Sequence, residues 1–137
     1  MALQPEQIDH INIVNWFHHT FPELADDFHH FANERKCSIA QGQLLKRMGV
    51  KKGVADFFLA FPVQYKAGLW LELKVGKNKL TKEQEAFLLR KSERGYEAKV
   101  VWGFDKAKEV IMHYLVGYIS VRAQNIPKNL YYYKPIC

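Results

Sequence analysis

Charged side chains interrupt two of the most apolar segments of the chain. The first segment, Gly53-Val-Ala-Asp56-Phe-Phe-Leu-Ala-Phe61, carries one carboxylate, and the second, Gly68-Leu-Trp-Leu-Glu72-Leu-Lys74, carries a carboxylate and an amine two positions apart. Both are typical of strands, in which a buried ionised group loses several kcal/mol of hydration unless a partner or a metal compensates it. Because residues i and i+2 of a strand share a face, Glu72 and Lys74 point to one side, and Asp56 joins them if the two strands pair. The pattern predicts a site for a hard divalent cation beside an ammonium group.

The composition limits the class of protein. At 137 residues with 48% hydrophobic residues, the chain has the length and the core of one domain. The net charge of +6 favours a polyanionic partner, and nucleic acid is the commonest. Cys37 and Cys137 are far apart and lack metal-ligand spacing, which argues against a disulfide framework or a zinc site. Without a leader-like start or an apolar run of about 18 residues, we expect a soluble, cytoplasmic protein that is not secreted and binds no membrane.

Hydrophobic periodicity and cap residues predict eight elements in the order α-β-α-β-β-α-β-α. They are a helix from Pro5, a strand Phe28-His-His-Phe31, a helix from Ser38 to Gly49, the two charged strands, a helix from Thr81 to Gly95, a strand Ala98-Lys-Val-Val-Trp102 and a helix from about Asp105. Strands interleaved with helices indicate an α/β core with a mixed β-sheet flanked by helices. We expect one domain over residues 1–119 and a C-terminal tail over 120–137, because periodicity is lost near Ser120.

The ordered set of motifs resembles the virus-type replication-repair nuclease (VRR-NUC) domain of the PD-(D/E)xK nuclease superfamily. The resemblance spans Glu6 to Leu115, and it implies a core like that of restriction endonucleases. A Glu-x-Lys motif alone says little, whereas the whole set in this order is specific. The motifs are Asn33, Lys46-Arg-Met-Gly49-Val, Gly53-Val-Ala-Asp56, Glu72-Leu-Lys74, Leu80-Thr-x-x-Gln84 and Gly95-Tyr96.

The resemblance implies a role for each residue of the site. Asp56 and Glu72 would bind Mg²⁺ or Mn²⁺ with the backbone carbonyl of Leu73, and Lys74 would orient or deprotonate the attacking water. Glu6 would lie near the metal, directly or through water, and Gln84 would support the site. Similar sequences often carry glutamine where this chain has His10, so His10 either replaces its hydrogen bonds or leaves that part of the site altered.

The function that the resemblance implies is metal-dependent endonucleolytic cleavage of DNA. A four-way (Holliday) junction or another branched structure of replication, recombination or repair is the expected substrate, and small relatives commonly work as homodimers. A flap nuclease, a nickase, an exonuclease and a catalytically idle DNA-binding module remain alternatives. DNA contacts are expected from the loop residues Asn33, Arg35 and Lys36 and from a basic rim of Lys51, Lys52, Lys77 and Lys79.

Each assignment has a plainer structural alternative. In this alternative, Asp56 and Glu72 form only an ion-pair set with Lys74. Glu6 then only interacts with the dipole of its helix, and Gln84 only forms hydrogen bonds to local backbone. The rim lysines and the residue 33–36 loop are then simply solvated. Adjacent histidines point in different directions, so His18-His19 and His29-His30 are more simply solvated or core residues than a metal site. Trp70, Trp102 and the Tyr131-Tyr-Tyr133 group either stack on bases or pack against the protein.

Overall fold

A computed structural model of the chain describes residues 2–32 and 37–123. The elements are α1 (Pro5–Thr20), a 3-10 helix (Pro22–Asp27), β1 (Phe28–His30), α2 (Ile39–Arg47), β2 (Phe57–Leu59), β3 (Leu69–Lys74), α3 (Lys82–Glu93), β4 (Glu97–Trp102), α4 (Phe104–Tyr114) and α5 (Val116–Ala123). The predicted fold class, an α/β core with helices flanking a mixed sheet, is confirmed. The predicted order of elements holds from α1 to α4, and the 3-10 helix and α5 are additions to it.

Strand β3 lies inside the sheet, between β2 and β4. Its strand order is β1-β2-β3-β4, with β1, β2 and β3 antiparallel in turn and β3 parallel to β4. In the β2–β3 register, Phe57 lies opposite Leu71. Asp56 therefore lies one residue before the ladder begins, at the entrance of β2 rather than inside the strand. This end of the sheet also holds the last residues of β1 and β3.

The two faces of the sheet bury different side chains. On one face, Phe57, Leu59, Leu71 and Leu73 are fully buried in a core that α1 and α4 cover. On the other face, Trp70 and Val100 pack with Ala55 and with Phe87 and Leu88 of α3. Alternation along β3 puts Glu72 and Lys74 on the face of Trp70, toward α3. The charged pair thus lies outside the main core, as the strand pattern predicts.

The last helix, α5, extends past residue 120, where the sequence predicts the tail to begin. Arg122 Nη1 donates hydrogen bonds to the Thr20 carbonyl oxygen and to Glu23 Oε1, both at 3.1 Å. The Tyr118 hydroxyl also donates to Glu23 Oε1. Val116, Ile119 and Val121 are β-branched, so these contacts with α1 and the 3-10 helix, rather than local propensity, stabilise α5. The division at residue 119 stays a prediction, and the Tyr131–Tyr133 group lies outside the described residues.

Helix α2 forms as predicted but does not bury its apolar side. Ser38 caps it, and Gly49, with a φ of +95°, follows its end. None of the residues of α2, all of which the structure describes, is buried, and the Leu44 side chain is 52% exposed. Within residues 2–32 and 37–123, no helix is long and apolar enough to span a bilayer.

Candidate active site

Asp56 is fixed by hydrogen bonds to two other segments of the chain, β3 and the end of β1. Its backbone N–H donates to Glu72 Oε2 at 3.0 Å, and its Oδ2 accepts the backbone N–H of Leu73 at 2.8 Å. Its carbonyl oxygen accepts the N–H of Phe31 at 2.7 Å. These bonds join the end of β1 and the last residues of β3 to the entrance of β2, so the position of the carboxylate is set by the sheet itself.

Glu72 is 2% exposed and both of its carboxylate oxygens have partners. Oε1 accepts a hydrogen bond from Gln84 Nε2 at 2.9 Å and lies 3.2 Å from Lys74 Nζ. Oε2 accepts the N–H of Asp56. The structure therefore brings together Asp56, Glu72, Lys74 and Gln84, which sequence reasoning placed in one site. A buried carboxylate that keeps one ammonium and two hydrogen-bond donors is well compensated.

Gln84 has two roles at once. Its side-chain oxygen accepts the N–H of Thr81 at 2.9 Å, and its backbone N–H donates to Thr81 Oγ1 at 3.1 Å, which completes a capping box at the start of α3. Its side-chain nitrogen remains available and donates to Glu72. Gln84 therefore forms hydrogen bonds to local backbone and also to Glu72, the two kinds of contact that the sequence leaves open.

Helix α1 places the side chains of Glu6 and His10 near Asp56. Glu6 and His10 are one turn apart, and His10 Nε2 lies 3.8 Å from Glu6 Oε1 and 3.7 Å from Asp56 Oδ2. One ligand atom from each of Glu6, His10 and Asp56 lies within 4.8 Å of the others. Two atoms that are each about 2.1 Å from an octahedral ion lie about 3.0 to 4.2 Å apart. The spacing and the oxygen-rich donor set therefore fit a divalent metal after a small contraction. Glu72 lies beside this triad and is not part of it.

Burial raises the pKa of both central carboxyl groups. It raises the pKa of Asp56 to about 6, with a further contribution from the charge of Glu6 and an opposing one from the Leu73 hydrogen bond. It raises the pKa of Glu72 to about 7, and the charge of Asp56 adds to the effect while Lys74 opposes it. Ionising both groups near neutral pH is therefore costly until a cation compensates them.

Asp56 and Glu6 line a cleft of about 480 Å³, and Glu72 lies behind Asp56 and does not line it. The cleft is lined by Gln4, Pro5, Glu6, Gln7, His10, His30, Phe31, Ala32, Asp56, Val75 and Asn78. It runs from the start of α1 to the loop after β3, and the Asp56 side chain is 13% exposed. The walls carry three amide side chains, which suit polar recognition.

His30 lines this cleft, although the sequence predicts a solvated or core histidine at this position. Its Nδ1 lies 2.9 Å from the carbonyl oxygen of Asp56, and its ring meets the ring of His10 edge-on at 5.0 Å. The β1–β2 register pairs His30 with Phe57, which faces α1, whereas His29 pairs with Phe58 on the opposite face. The two histidines thus point apart, as expected. Strand alternation from the apolar Phe28 was the signal that could have placed His30 toward α1.

The basic rim lies at the same end of the sheet as the carboxylates. Lys77 and Lys79 are exposed in the loop between β3 and α3. Lys51 and Lys52 are exposed just before Gly53, whose Cα packs against the backbone of Glu83 in the first turn of α3. Both lysine pairs therefore flank the start of α3. The other loop candidates, Asn33, Arg35 and Lys36, lie outside the described residues.

Trp70 and Trp102, two of the three tryptophans, differ in their surroundings. Trp70 is packed between the rings of Phe58, at 4.2 Å, and Phe87, at 4.9 Å, which is the structural alternative of core packing. Trp102 is 44% exposed, and its indole N–H donates to the carbonyl oxygen of Asn78 at 2.8 Å. The accessible one of the pair is therefore Trp102.

Comparison with known proteins supports the resemblance through structure rather than sequence. No family model matches the chain, and no curated protein matches it. Among solved structures, a protein named VRR_NUC domain protein superposes with a TM-score of 0.72 at 26% sequence identity, and the alignment covers 84% of this chain and 91% of that one. The resemblance that the motifs predict is thus confirmed in the fold over most of both chains.

Proposed function

We propose that this protein is a divalent-metal-dependent deoxyribonuclease that cleaves DNA internally. The observation that carries the proposal is the convergence of Asp56, Glu72 and Lys74 at one end of the sheet, with Gln84 bonded to Glu72. The likeness to a VRR_NUC domain protein supports a nuclease of the PD-(D/E)xK type.

The proposed metal ligands are Asp56, Glu72, the backbone carbonyl of Leu73 and Glu6, the last directly or through water. Mg²⁺ or Mn²⁺ bound here would polarise the scissile phosphate and lower the pKa of a bound water. The protein holds the ligands in advance, because Asp56 is tied to Leu73 and Glu72 to Gln84. Such preorganisation reduces the rearrangement required when the substrate arrives.

Lys74 is proposed as the residue that works on the nucleophile. Its side chain is 12% exposed and its Nζ lies 3.2 Å from Glu72 Oε1, so the ammonium is held at the edge of the acidic centre. From there the ammonium would orient the attacking water and stabilise the negative charge that develops on phosphate. Only the neutral amine, after the ammonium has given a proton to solvent, would accept the proton of the water. The contact with Glu72 Oε1 would keep the Lys74 side chain at this position.

The proposed substrate is branched DNA, such as a four-way junction, bound in the cytoplasm by a homodimer. The net charge of +6 and the exposed Lys51, Lys52, Lys77 and Lys79 favour contact with phosphates around the start of α3. Asn33, Arg35 and Lys36 are proposed to add to this surface. A two-fold pair of sites suits the two symmetric strands of a junction.

Cleavage assays on defined substrates test the proposal. Four-way, flap, single-stranded and linear duplex DNA would be incubated with Mg²⁺ or Mn²⁺, with and without chelator. We expect cleavage that requires the metal, is lost in Asp56→Asn, and is greatest on the junction. Asp105→Asn is the matched control, because Asp105 is 89% exposed on α4. Metal-independent cleavage, or full activity in Asp56→Asn, would refute the mechanism, and no cleavage of any substrate would favour an idle DNA-binding module.

A further inference from the structure

We infer that His10 is a nitrogen ligand of the divalent ion and that it makes the site select Mn²⁺ over Mg²⁺. The inference rests on the metal site of the proposed function and adds to it a ligand and a metal preference. It concerns one side chain whose position relative to both carboxylates is defined by the structure.

The imidazole nitrogen lies where a ligand is needed. His10 Nε2 is at nearly equal distances from Glu6 Oε1 and Asp56 Oδ2, 3.8 and 3.7 Å. These distances exceed a direct hydrogen bond, yet they match the range between neighbouring and opposite ligands of one octahedral ion. A cation placed among the three atoms would therefore contact both oxygens and the nitrogen together.

The ring is also held in this orientation before any ion arrives. Its side chain is 16% exposed, and its ring packs against Phe57 at 5.1 Å and edge-on against His30 at 5.0 Å. Packing on two sides reduces the rotamer freedom that ligand binding would otherwise remove. Because Glu6 and His10 are four residues apart on one helix, they approach the site as a unit.

The donor set determines which ion the triad prefers. Mg²⁺ is a hard ion that favours oxygen ligands and retains several waters. Imidazole nitrogen binds first-row transition ions well, and the affinity of such sites rises from Mn²⁺ toward the later ions of the series. One nitrogen among carboxylate oxygens therefore favours Mn²⁺, and still more Co²⁺ or Ni²⁺, at the expense of Mg²⁺.

Binding measurements without DNA test the inference separately from catalysis. Mn²⁺ bound to the full chain would be followed by electron paramagnetic resonance, and pulsed measurements would detect ¹⁴N coupling from a directly bound imidazole. Calorimetry would give the affinities for Mn²⁺ and Mg²⁺. The variants are His10→Gln, His30→Gln for the neighbouring ring, and His29→Gln as a control on the opposite face of the sheet.

We expect ¹⁴N coupling in the wild type that is lost only in His10→Gln. We also expect His10→Gln to weaken Mn²⁺ binding by about tenfold or more and Mg²⁺ binding by less than about twofold. Absence of ¹⁴N coupling in the wild type, its persistence in His10→Gln, or equal losses for both ions would overturn the inference. If His10→Gln folds poorly, the absence of ¹⁴N coupling in the wild type still overturns the inference, and so does loss of the coupling in His30→Gln, whereas coupling that persists in His30→Gln supports it.

The outcomes also separate this inference from the proposed nuclease activity. Selective Mn²⁺ binding through His10 by a protein that cuts no DNA would uphold the metal site and refute the nuclease. Metal-dependent cleavage with unchanged ion selectivity in His10→Gln would uphold the nuclease and refute the inference. A protein that binds neither ion would refute both.

Discussion

Glu72 depends on two neighbours that stabilise it in different ways. Lys74 offers a charge 3.2 Å from Oε1, whereas Gln84 offers a neutral hydrogen-bond donor at 2.9 Å. The ammonium lowers the cost of ionising Glu72, and the amide fixes the direction in which the carboxylate points. Substitutions at these two positions should therefore have different consequences.

Replacing Lys74 should greatly reduce the rate of DNA cleavage and leave the fold intact. We expect Lys74→Ala to reduce single-turnover cleavage by about 10²- to 10⁴-fold, the usual contribution of a positioned proton-transfer group. Lys66→Ala is the matched control, because Lys66 also pairs with a strand glutamate, Glu97, at 3.7 Å, at the far end of the sheet. Rapid-quench kinetics on junction DNA provide the measurement. Equal rates in Lys74→Ala and the wild type would remove Lys74 from the mechanism.

Replacing the glutamine with glutamate should separate its two roles. Gln84→Glu retains an oxygen that accepts the N–H of Thr81, so α3 should still begin at the same residue. It replaces the donor to Glu72 with a second negative charge, so we expect cleavage to fall by at least about tenfold. Gln41→Glu makes the same change in the capping box of α2, where the partner is Ser38. Circular dichroism and cleavage rates of the two variants would be compared, and equal activities would count against Gln84 as a support of Glu72.

At the scale of elements, the site is assembled where α1, β2, β3 and α3 meet. The loop that enters β2 is the tightest of these junctions. At Gly53 the φ is +81°, and a Cβ would lie 2.5 Å from the carbonyl carbon of Glu83 in the first turn of α3. Only glycine allows this approach, which holds the Asp56 segment against the helix that carries Gln84.

We expect Gly53→Ala to destabilise the protein more than a glycine replacement in open space. The variant combines backbone strain with overlap against α3, and a cost of about 2 to 4 kcal/mol is reasonable. Gly76→Ala is the control, because its φ is also positive, +58°, but nothing lies within 4 Å of the added Cβ; about 1 kcal/mol is expected there. Urea unfolding gives both values. Equal losses would mean that the Glu83 contact is unimportant.

Local signals predicted most of the elements that build the site. Ser38 and Thr81 cap the helices that follow them, and strand alternation placed Glu72 and Lys74 on one face. Alternation from Phe28 places His30 on the face toward α1, whereas its position beside Asp56 depends on the β1–β2 register, which a short strand does not specify. Helix α5 was missed because its stability comes from Arg122 and Tyr118, which contact residues about 100 positions away in the sequence. Likewise, the exposure of Leu44 is a property of tertiary packing.

At the scale of the whole molecule, a basic protein holds an acidic centre that is costly to ionise. Burial is the main reason that the pKa of Asp56 is raised to about 6 and that of Glu72 to about 7, from unfolded values of 3.8 and 4.5. The folded protein therefore binds more protons than the unfolded chain between about pH 4 and pH 7. By linkage, the free energy of unfolding falls as the pH rises through this window.

We expect the metal-free protein to lose stability, of the order of a few kcal/mol, between pH 5 and pH 8. Asp56→Asn should flatten this dependence, because it removes one titrating group and the repulsion of Glu72. Saturating Mn²⁺ should stabilise the protein more at pH 8 than at pH 5, since the ion competes with protons for the carboxylates. Urea unfolding across this pH range, with chelator or with Mn²⁺, would test all three. A metal-free stability that rises toward pH 8 would contradict the assignment.

The clamp that Arg122 forms on the last turn of α1 bears on how the protein can be shortened or fused. Helix α1 has 16 residues and is about 24 Å long, with Glu6 at one end and Thr20, the residue that Arg122 holds, at the other. Loss of the Arg122 contact at the Thr20 end of α1 should therefore increase the movement of Glu6 at the other end. Truncated chains that end before residue 116 lack α5 and should therefore have a less ordered acidic cleft, although no residue of the cleft is removed. Affinity tags or fusion partners are better joined beyond Ala123.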